Sequence, residues 1–169
     1  MNLIKDSSLQ MNKIYLLLGS NMGNSQKLLN KAIMMIEKKI GNVLRRSGLY
    51  QTAAWGKTDQ PDFLNQVVIA ETTLTAAETM QAILKIESTM GRIRTKKNAP
   101  RIIDIDILFF NKAIINEKDL SIPHPAIHLR RFVLVPLNEL SPNFIHPVFR
   151  ETNHQLLLKC PDKLDVKKN

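Results

Sequence analysis

Between Lys13 and Phe110 the hydrophobic period switches between two and 3.6 residues in the order strand, helix, strand, strand, helix, strand, and few architectures accept that order. Lys13 to Leu18, KIYLLL, is a short apolar β-type run that stops at Gly19-Ser20-Asn21. Leu28, Leu29, Ala32, Ile33, Ile36 and Ile40 then form one helical stripe, closed by Gly41-Asn42. Val43 to Thr52 reads as a second strand with a glycine in its middle, Ala53 to Asp62 as a long polar loop, and Phe63 to Thr72 as a third strand. Thr75 is placed to cap a helix running through Ala76, Met80, Ile83, Leu84 and Met90, with Gly91 ending it. The loop GRIRTKKNAP leads into a fourth strand, Ile102 to Phe110. The expected fold is α+β, a ferredoxin-like β-α-β-β-α-β sandwich with two helices on one face of an antiparallel sheet. A hairpin around Ala113 to Ile122 and short helices near Arg131 to Leu140 and His154 to Lys159 form a C-terminal extension.

At 169 residues the chain is sized for one domain, expected over 12–160, with a flexible N-terminal extension at 1–11 and a solvated basic tail at 161–169. No apolar run is long enough to cross a bilayer, and the first residues lack the apolar core of a secretory signal. Cys160, the single cysteine, has no disulfide partner, which fits the reducing cytoplasm. Lysines and arginines outnumber acids by 24 to 15, a net charge of +9 that calls for an anionic partner: nucleotide, polyphosphate or nucleic acid.

The fourth strand carries the chemistry. In APRIIDIDILFF the alternation sends Ile103, Ile105 and Ile107 to the helix face and Asp104 with Asp106 to the other. Their Cα atoms lie about 6.6 Å apart. Carboxylates at roughly 6 Å repel by ~3 kcal/mol at an effective dielectric near 20, so a cation belongs between them. Magnesium fits, being hard and served by one or two carboxylates plus phosphate oxygens, and a two-ion clamp suits phosphoryl chemistry. The competing reading pairs each aspartate with an arginine on a wet sheet face. Arg92, Arg94, Lys96, Lys97 and Arg101 surround the pair in sequence, as a polyphosphate clamp requires. Glu87 falls on the apolar stripe of the second helix, near Met80, and so needs a partner: an arginine, a backbone group or the site itself. No GxxxxGK[ST] loop is present, and LGSNMG alone is a weak signal. His124 serves either as a turn residue or as a phosphate donor. Phe63 and Asn65 share one strand face, a ring beside an amide, which is what a flat heterocycle needs.

Together LGSNMG, SGLYQT, QPDFLNQVV, IESTMGRIR, APRIIDIDILFF and IPHPAIHLRRFVLVPLNEL, in that order from about Ile14 to Leu140, resemble the 6-hydroxymethyl-7,8-dihydropterin pyrophosphokinase family of folate biosynthesis. The resemblance implies magnesium-dependent transfer of pyrophosphate from ATP to the pterin hydroxymethyl group, releasing AMP. It implies that Asp104 and Asp106 hold two Mg2+ ions and that Arg92 and Arg101 act with them in catalysis. ATP contacts carried over are Glu87, Arg92, Arg94, Ile107, Ser121, His124 and Arg130. Pterin contacts are Thr52, Ala53, Trp55, Phe63, Asn65 and Phe132, the two phenylalanines stacking on the ring. Ala53-Ala54 stand where the family often has proline, and Asn98-Ala99 where some members have tryptophan and glycine. The implied partners are ATP and the pterin, with no nucleic acid and no membrane, acting as a monomer or weak dimer. Two other readings fit the pattern less well: a palm-like nucleotidyltransferase and an RNA-binding sheet domain, the latter short of stacking aromatics at 5% aromatic content.

Overall fold

A computed structural model of the chain describes residues 9–54 and 59–169. Strand β1 (Asn12–Ser20) lies between β5 (Asp104–Phe110) and β4 (Phe63–Thr72), antiparallel to both. Beyond β4 come β2 (Asn42–Arg46) and β3 (Tyr50–Thr52), both paired to it, and β8 (Val166–Lys168) closes the far edge against β3. Helix α1 (Ser25–Lys39) starts on Asn24, whose side chain accepts the Lys27 N–H, and α2 (Ala76–Thr89) on a Thr75/Glu78 capping box. The ferredoxin-like sandwich and the Thr75 cap are as the pattern predicts.

From Ile14 to Leu18 β1 is an unbroken apolar run because both its faces are covered there. Ile14, Leu16 and Leu18 pack with Leu29, Ile33 and Ile36 of α1 and Ile83 and Ile86 of α2. Tyr15 and Leu17 point the other way, into a second core built with α3 (Arg131–Leu140) and α4 (Asn153–Lys159). The extension is therefore a third layer over part of the opposite sheet face. A bulge in β5 joins the two regimes: Leu16 pairs Ile107 and Tyr15 pairs Phe109, leaving Leu108 extra. Ile105, Ile107 and Phe110 thus face the first core, while Leu108 and Phe109 both enter the second. Ahead of the bulge, the same face presents Asp104 and Asp106, beyond the cover of α3.

Two expectations are corrected. The single strand Val43 to Thr52 is two strands, because at Ser47 the chain stops alternating and turns its polar groups onto β4: the Val67 N–H donates to Ser47 Oγ and the Gln66 amide to the Ser47 carbonyl. The tail at 161–169 is not wholly solvated, since Val166–Lys168 is the edge strand β8. The hairpin is as expected, with β6 (Ile115–Glu117) and β7 (Leu120–Ile122) joined by a two-residue turn. Residues 1–8 of the expected extension lie outside the described residues.

Buried His146 sits edge-on to Phe109 and beside Phe149, and its Nδ1 accepts the N–H groups of Val148 and Phe149. Burial, with a smaller push from His128, lowers its pKa from 6.5 to about 4. The unfolded chain binds this proton first, so the contribution of His146 to stability is complete above the unfolded pKa and declines as pH falls from 6.5 toward 4. His146→Asn keeps an acceptor for both N–H groups. It should flatten the fall in Tm between pH 7 and pH 4.5 relative to wild type, measured by thermal melts across that range; identical slopes would contradict this assignment.

Candidate active site

Strand register builds the floor. Gly19 of β1 lies between Asn65 of β4 and Asp104 of β5, and one step along Leu17 lies between Val67 and Asp106. A Cβ on Gly19 would meet Asn65 Oδ1 at 2.8 Å, so the missing side chain keeps this floor open. Above it is a cavity of about 650 Å3.

The acid-base geometry grows from the end of α2. Gly91, at φ 92°, lets the Gly91 N–H reach the Ser88 carbonyl and the Arg92 N–H reach that of Glu87, a Schellman closure that folds Arg92 back over Glu87. Arg92 Nη1 then lies 2.7 Å from Glu87 Oε2 and 2.7 Å from Asp104 Oδ1. Arg101 Nη1 takes the other oxygen of Asp104 at 2.8 Å. Glu87 Oε1 accepts the Ile105 N–H at 2.9 Å, a donor on the free edge of β5 that the ladder leaves unpaired, and Arg94 joins Oε2 at 3.3 Å. Glu87 thus has all the partners its buried position demands. Burial still raises its pKa, against the pull of the Ile105 N–H and Arg92. For Arg92, burial opposes the charge, but Asp104 and Glu87 outweigh it and the pKa rises.

The two aspartates differ. Asp104 realises the arginine-paired alternative, whereas Asp106 has no hydrogen-bonded partner among the described residues. Burial and the neighbouring Asp104 charge push Asp106 up to about 7, only partly offset by Arg130. A divalent cation fits this pair: Asp106 offers unengaged lone pairs, Asp104 keeps a free lone pair on each oxygen, and both are hard oxygen donors on one face. His124 lies nearby, its N–H bonded to the Leu108 carbonyl at the β5 bulge. Its Nδ1 accepts the Ala126 N–H at 3.1 Å, and burial, reinforced by Arg130, lowers its pKa to about 4. The ring is therefore neutral at pH 7, with its proton on Nε2 as a donor.

Half-buried Phe63 and Phe132 each carry a guanidinium over the ring, Arg101 at 5.5 Å and Arg130 at 5.8 Å. Asn65 Nδ2 donates to Thr52 Oγ1 at 3.2 Å. Of the residues expected from sequence, the cavity gathers Thr52, Ala53, Phe63, Asn65 and Phe132 on one side. Glu87, Arg92, Arg94, Arg101, Asp104, Asp106, His124 and Arg130 line the rest. It does not gather Ile107, whose side chain is in the helix-side core, or Ser121, exposed on the hairpin outside this cavity. Trp55 lies outside the described residues. Sequence reasoning passed over Asn21 and Gln60. Asn21 Oδ1 accepts the Arg101 N–H, its Nδ2 donates to Gln60 Oε1 and the Pro61 carbonyl, and Gln60 Nε2 reaches the Asn98 carbonyl at 2.6 Å. Polar residues beside turn glycine and proline were the only local signal.

A ferredoxin-like sheet whose open face sets two carboxylates among arginines defines a binding domain for an anionic substrate. The chain matches the family described as 7,8-dihydro-6-hydroxymethylpterin-pyrophosphokinase (HPPK) over residues 15–142. It belongs to that family of diphosphokinases of folate synthesis. It is 41% identical over 138 residues to the 2-amino-4-hydroxy-6-hydroxymethyldihydropteridine pyrophosphokinase of Aquifex aeolicus, covering 82% of this chain and 86% of that protein. The Methylorubrum extorquens protein of the same name is 39% identical over 150 residues, covering 88% and 94%. The folic acid synthesis protein FOL1 of Dictyostelium discoideum is 36% identical over 151 residues, 89% of this chain but only 23% of that longer protein. Among solved structures, a Plasmodium falciparum HPPK-DHPS superposes with a TM-score of 0.75 at 22% identity, covering 94% of this chain and 46% of that one, a likeness of fold. No helix among the described residues is long and apolar enough to cross a membrane.

Proposed function

We propose that the chain transfers pyrophosphate from ATP to the hydroxymethyl group of 6-hydroxymethyl-7,8-dihydropterin, releasing AMP, with two Mg2+ ions held by Asp104 and Asp106. The observation that carries this reading is a single cavity joining the carboxylate and arginine floor to the ring-and-amide wall of Phe63, Asn65 and Phe132. Bound Mg2+ supplies charge neutralisation of the triphosphate. Everything else is positioning and electrostatics by the chain itself. Arg92 and Arg101 each spend one donor on Asp104 and keep others of their five for phosphate oxygens. Glu87 acts on the ATP side by orienting Arg92 and Arg94. His124 gives its Nε2–H to a phosphate oxygen without adding charge, and Arg94 and Arg130 add positive potential. The Ile105 N–H points off the free edge of β5, so by the two-residue period the backbone of Ile107 points the same way; an ATP contact there is a main-chain one. Ser121 contacts ATP from the hairpin, outside the cavity.

On the pterin side, Phe63 and Phe132 offer ring faces, and Asn65, held by Thr52, reads the edge of the heterocycle, with Ala53 and Trp55 adding loop contacts. The bridge Asn21–Gln60–Asn98 ties the loop before β4 to the loop before β5, so the two walls close together and exclude water from ATP. The protein works on these small molecules in the cytoplasm as a monomer or weak dimer. Incubation with ATP, Mg2+ and 6-hydroxymethyl-7,8-dihydropterin should yield AMP and the pterin diphosphate in equal amounts, read by chromatography. Formation of ADP, or no product, overturns the assignment.

A further inference from the structure

Strand β3 is only three residues long, and its last residue, Thr52, leads into the loop wall at Ala53. So short a strand holds its position through its neighbours. On one edge it has β4; on the other, Tyr50, Gln51 and Thr52 pair with Lys168, Lys167 and Val166 of β8, and the Asn169 N–H extends the pairing to the Leu49 carbonyl at 2.9 Å.

Side chains fasten the same segment to α3. The stem of Lys168 lies across Gly48, where a Cβ would come within 2.5 Å of Lys168 Cε, and its Nζ stands 5.9 Å from the centre of the Tyr50 ring. That Nζ lies 3.1 Å from Glu139 Oε1 on α3. Glu139 also accepts the Tyr50 hydroxyl at 2.7 Å and the Gly48 N–H at 3.1 Å. α3 begins at Arg131 and carries Phe132 in its first turn. One short strand thus touches two of the three elements that present the pterin wall, β3 and α3, while the third, β4 with Phe63 and Asn65, is held by its own place inside the sheet. Of the ATP-side groups Arg130 alone adjoins α3, whereas Asp104 and Asp106 sit at the opposite edge: the sheet order β5-β1-β4-β3-β8 puts four strand spacings between β8 and β5. That is about 19 Å at ~4.8 Å per spacing.

We propose that β8 is a buttress for the pterin half of the cavity. By pairing with β3 and tying Lys168 to Glu139, it holds Thr52, Ala53 and Phe132 in place, so that affinity for the pterin depends on it far more than affinity for ATP does. The residues of β8 are positioning residues, and the inference rests on the pterin assignment made above.

The test uses the full-length chain carrying K167P/K168A: with the Asn169 N–H on Leu49, the alternation makes Lys167 the β8 residue whose N–H faces Gln51, so the variant removes that donor and the Lys168 ammonium. Hydrogen exchange in the peptide 49–54 should accelerate by about tenfold. The KM for 6-hydroxymethyl-7,8-dihydropterin should rise by about tenfold with the KM for ATP within about twofold of wild type. Unchanged exchange, unchanged pterin KM, or equal rises for both substrates overturns the proposal. If that variant fails to fold, Lys168→Ala should give a smaller rise selective for the pterin, reversed by Lys168→Arg; absence of that selectivity overturns it equally. Should wild type itself make no AMP, the pyrophosphokinase reading falls, and the exchange measurement alone decides whether β8 holds β3.

Discussion

Asp106→Ala is expected to fold as wild type does and to lose turnover by more than about a thousandfold, the scale on which charge-stabilising groups act. The fold survives because the Asp106 carboxylate holds no hydrogen-bonded partner among the described residues and faces the cavity rather than either core. Its folded pKa, about 7, lies above its ordinary value of 3.8, chiefly through burial and then the Asp104 charge. A raised carboxyl pKa favours the folded state at low pH, and that advantage is lost as pH rises through 7. At pH 8 the wild-type carboxylate is therefore a burden, and the variant should melt at or above the wild-type temperature. Thermal melts at pH 8 alongside AMP formation check both halves. A melting temperature several degrees lower would mean that Asp106 is a structural ion-pair partner.

The second large effect falls on stability. Glu87→Ala should cost about 3 kcal/mol, the scale for breaking a buried charge pair, because three groups lose their partner together. Arg92 keeps only Asp104, Arg94 loses its carboxylate, and the Ile105 N–H is left buried without an acceptor. Glu87→Gln retains an oxygen for Ile105 and should cost less than half as much. Urea unfolding of both variants decides the matter. A loss within about 0.5 kcal/mol for the alanine variant, as for an ordinary surface change, would show that the arginines and the N–H find water instead. Activity should fall in both variants through Arg92, whose guanidinium loses one of its two anchors.

What periodicity could say, it said correctly. The stripe of α1, the Thr75 cap of α2 and the two faces of APRIIDIDILFF follow from side-chain direction, which is set within a few residues. The Phe63 and Asn65 face was readable for the same reason. Glu87 could be recognised as misplaced on an apolar stripe, yet its partners come from the Schellman turn and from a strand edge 18 residues on. β8 escaped notice because VKK is short and charged, and its reason to be a strand is the vacant edge of β3 and Glu139 on α3. The break at Ser47 was hidden because a serine turned onto β4 looks, in sequence, like any polar residue of an exposed strand.

The two aspartates show where the division falls. That they share a face, opposite the isoleucines and among basic residues, was determined by the sequence, since alternation is a property of the extended backbone itself. That Asp104 is held by Arg92 and Arg101 while Asp106 has no hydrogen-bonded partner among the described residues was decided only by the tertiary structure. Direction is local, but a partner must be brought within about 3 Å by segments far apart in the chain, and only packing does that.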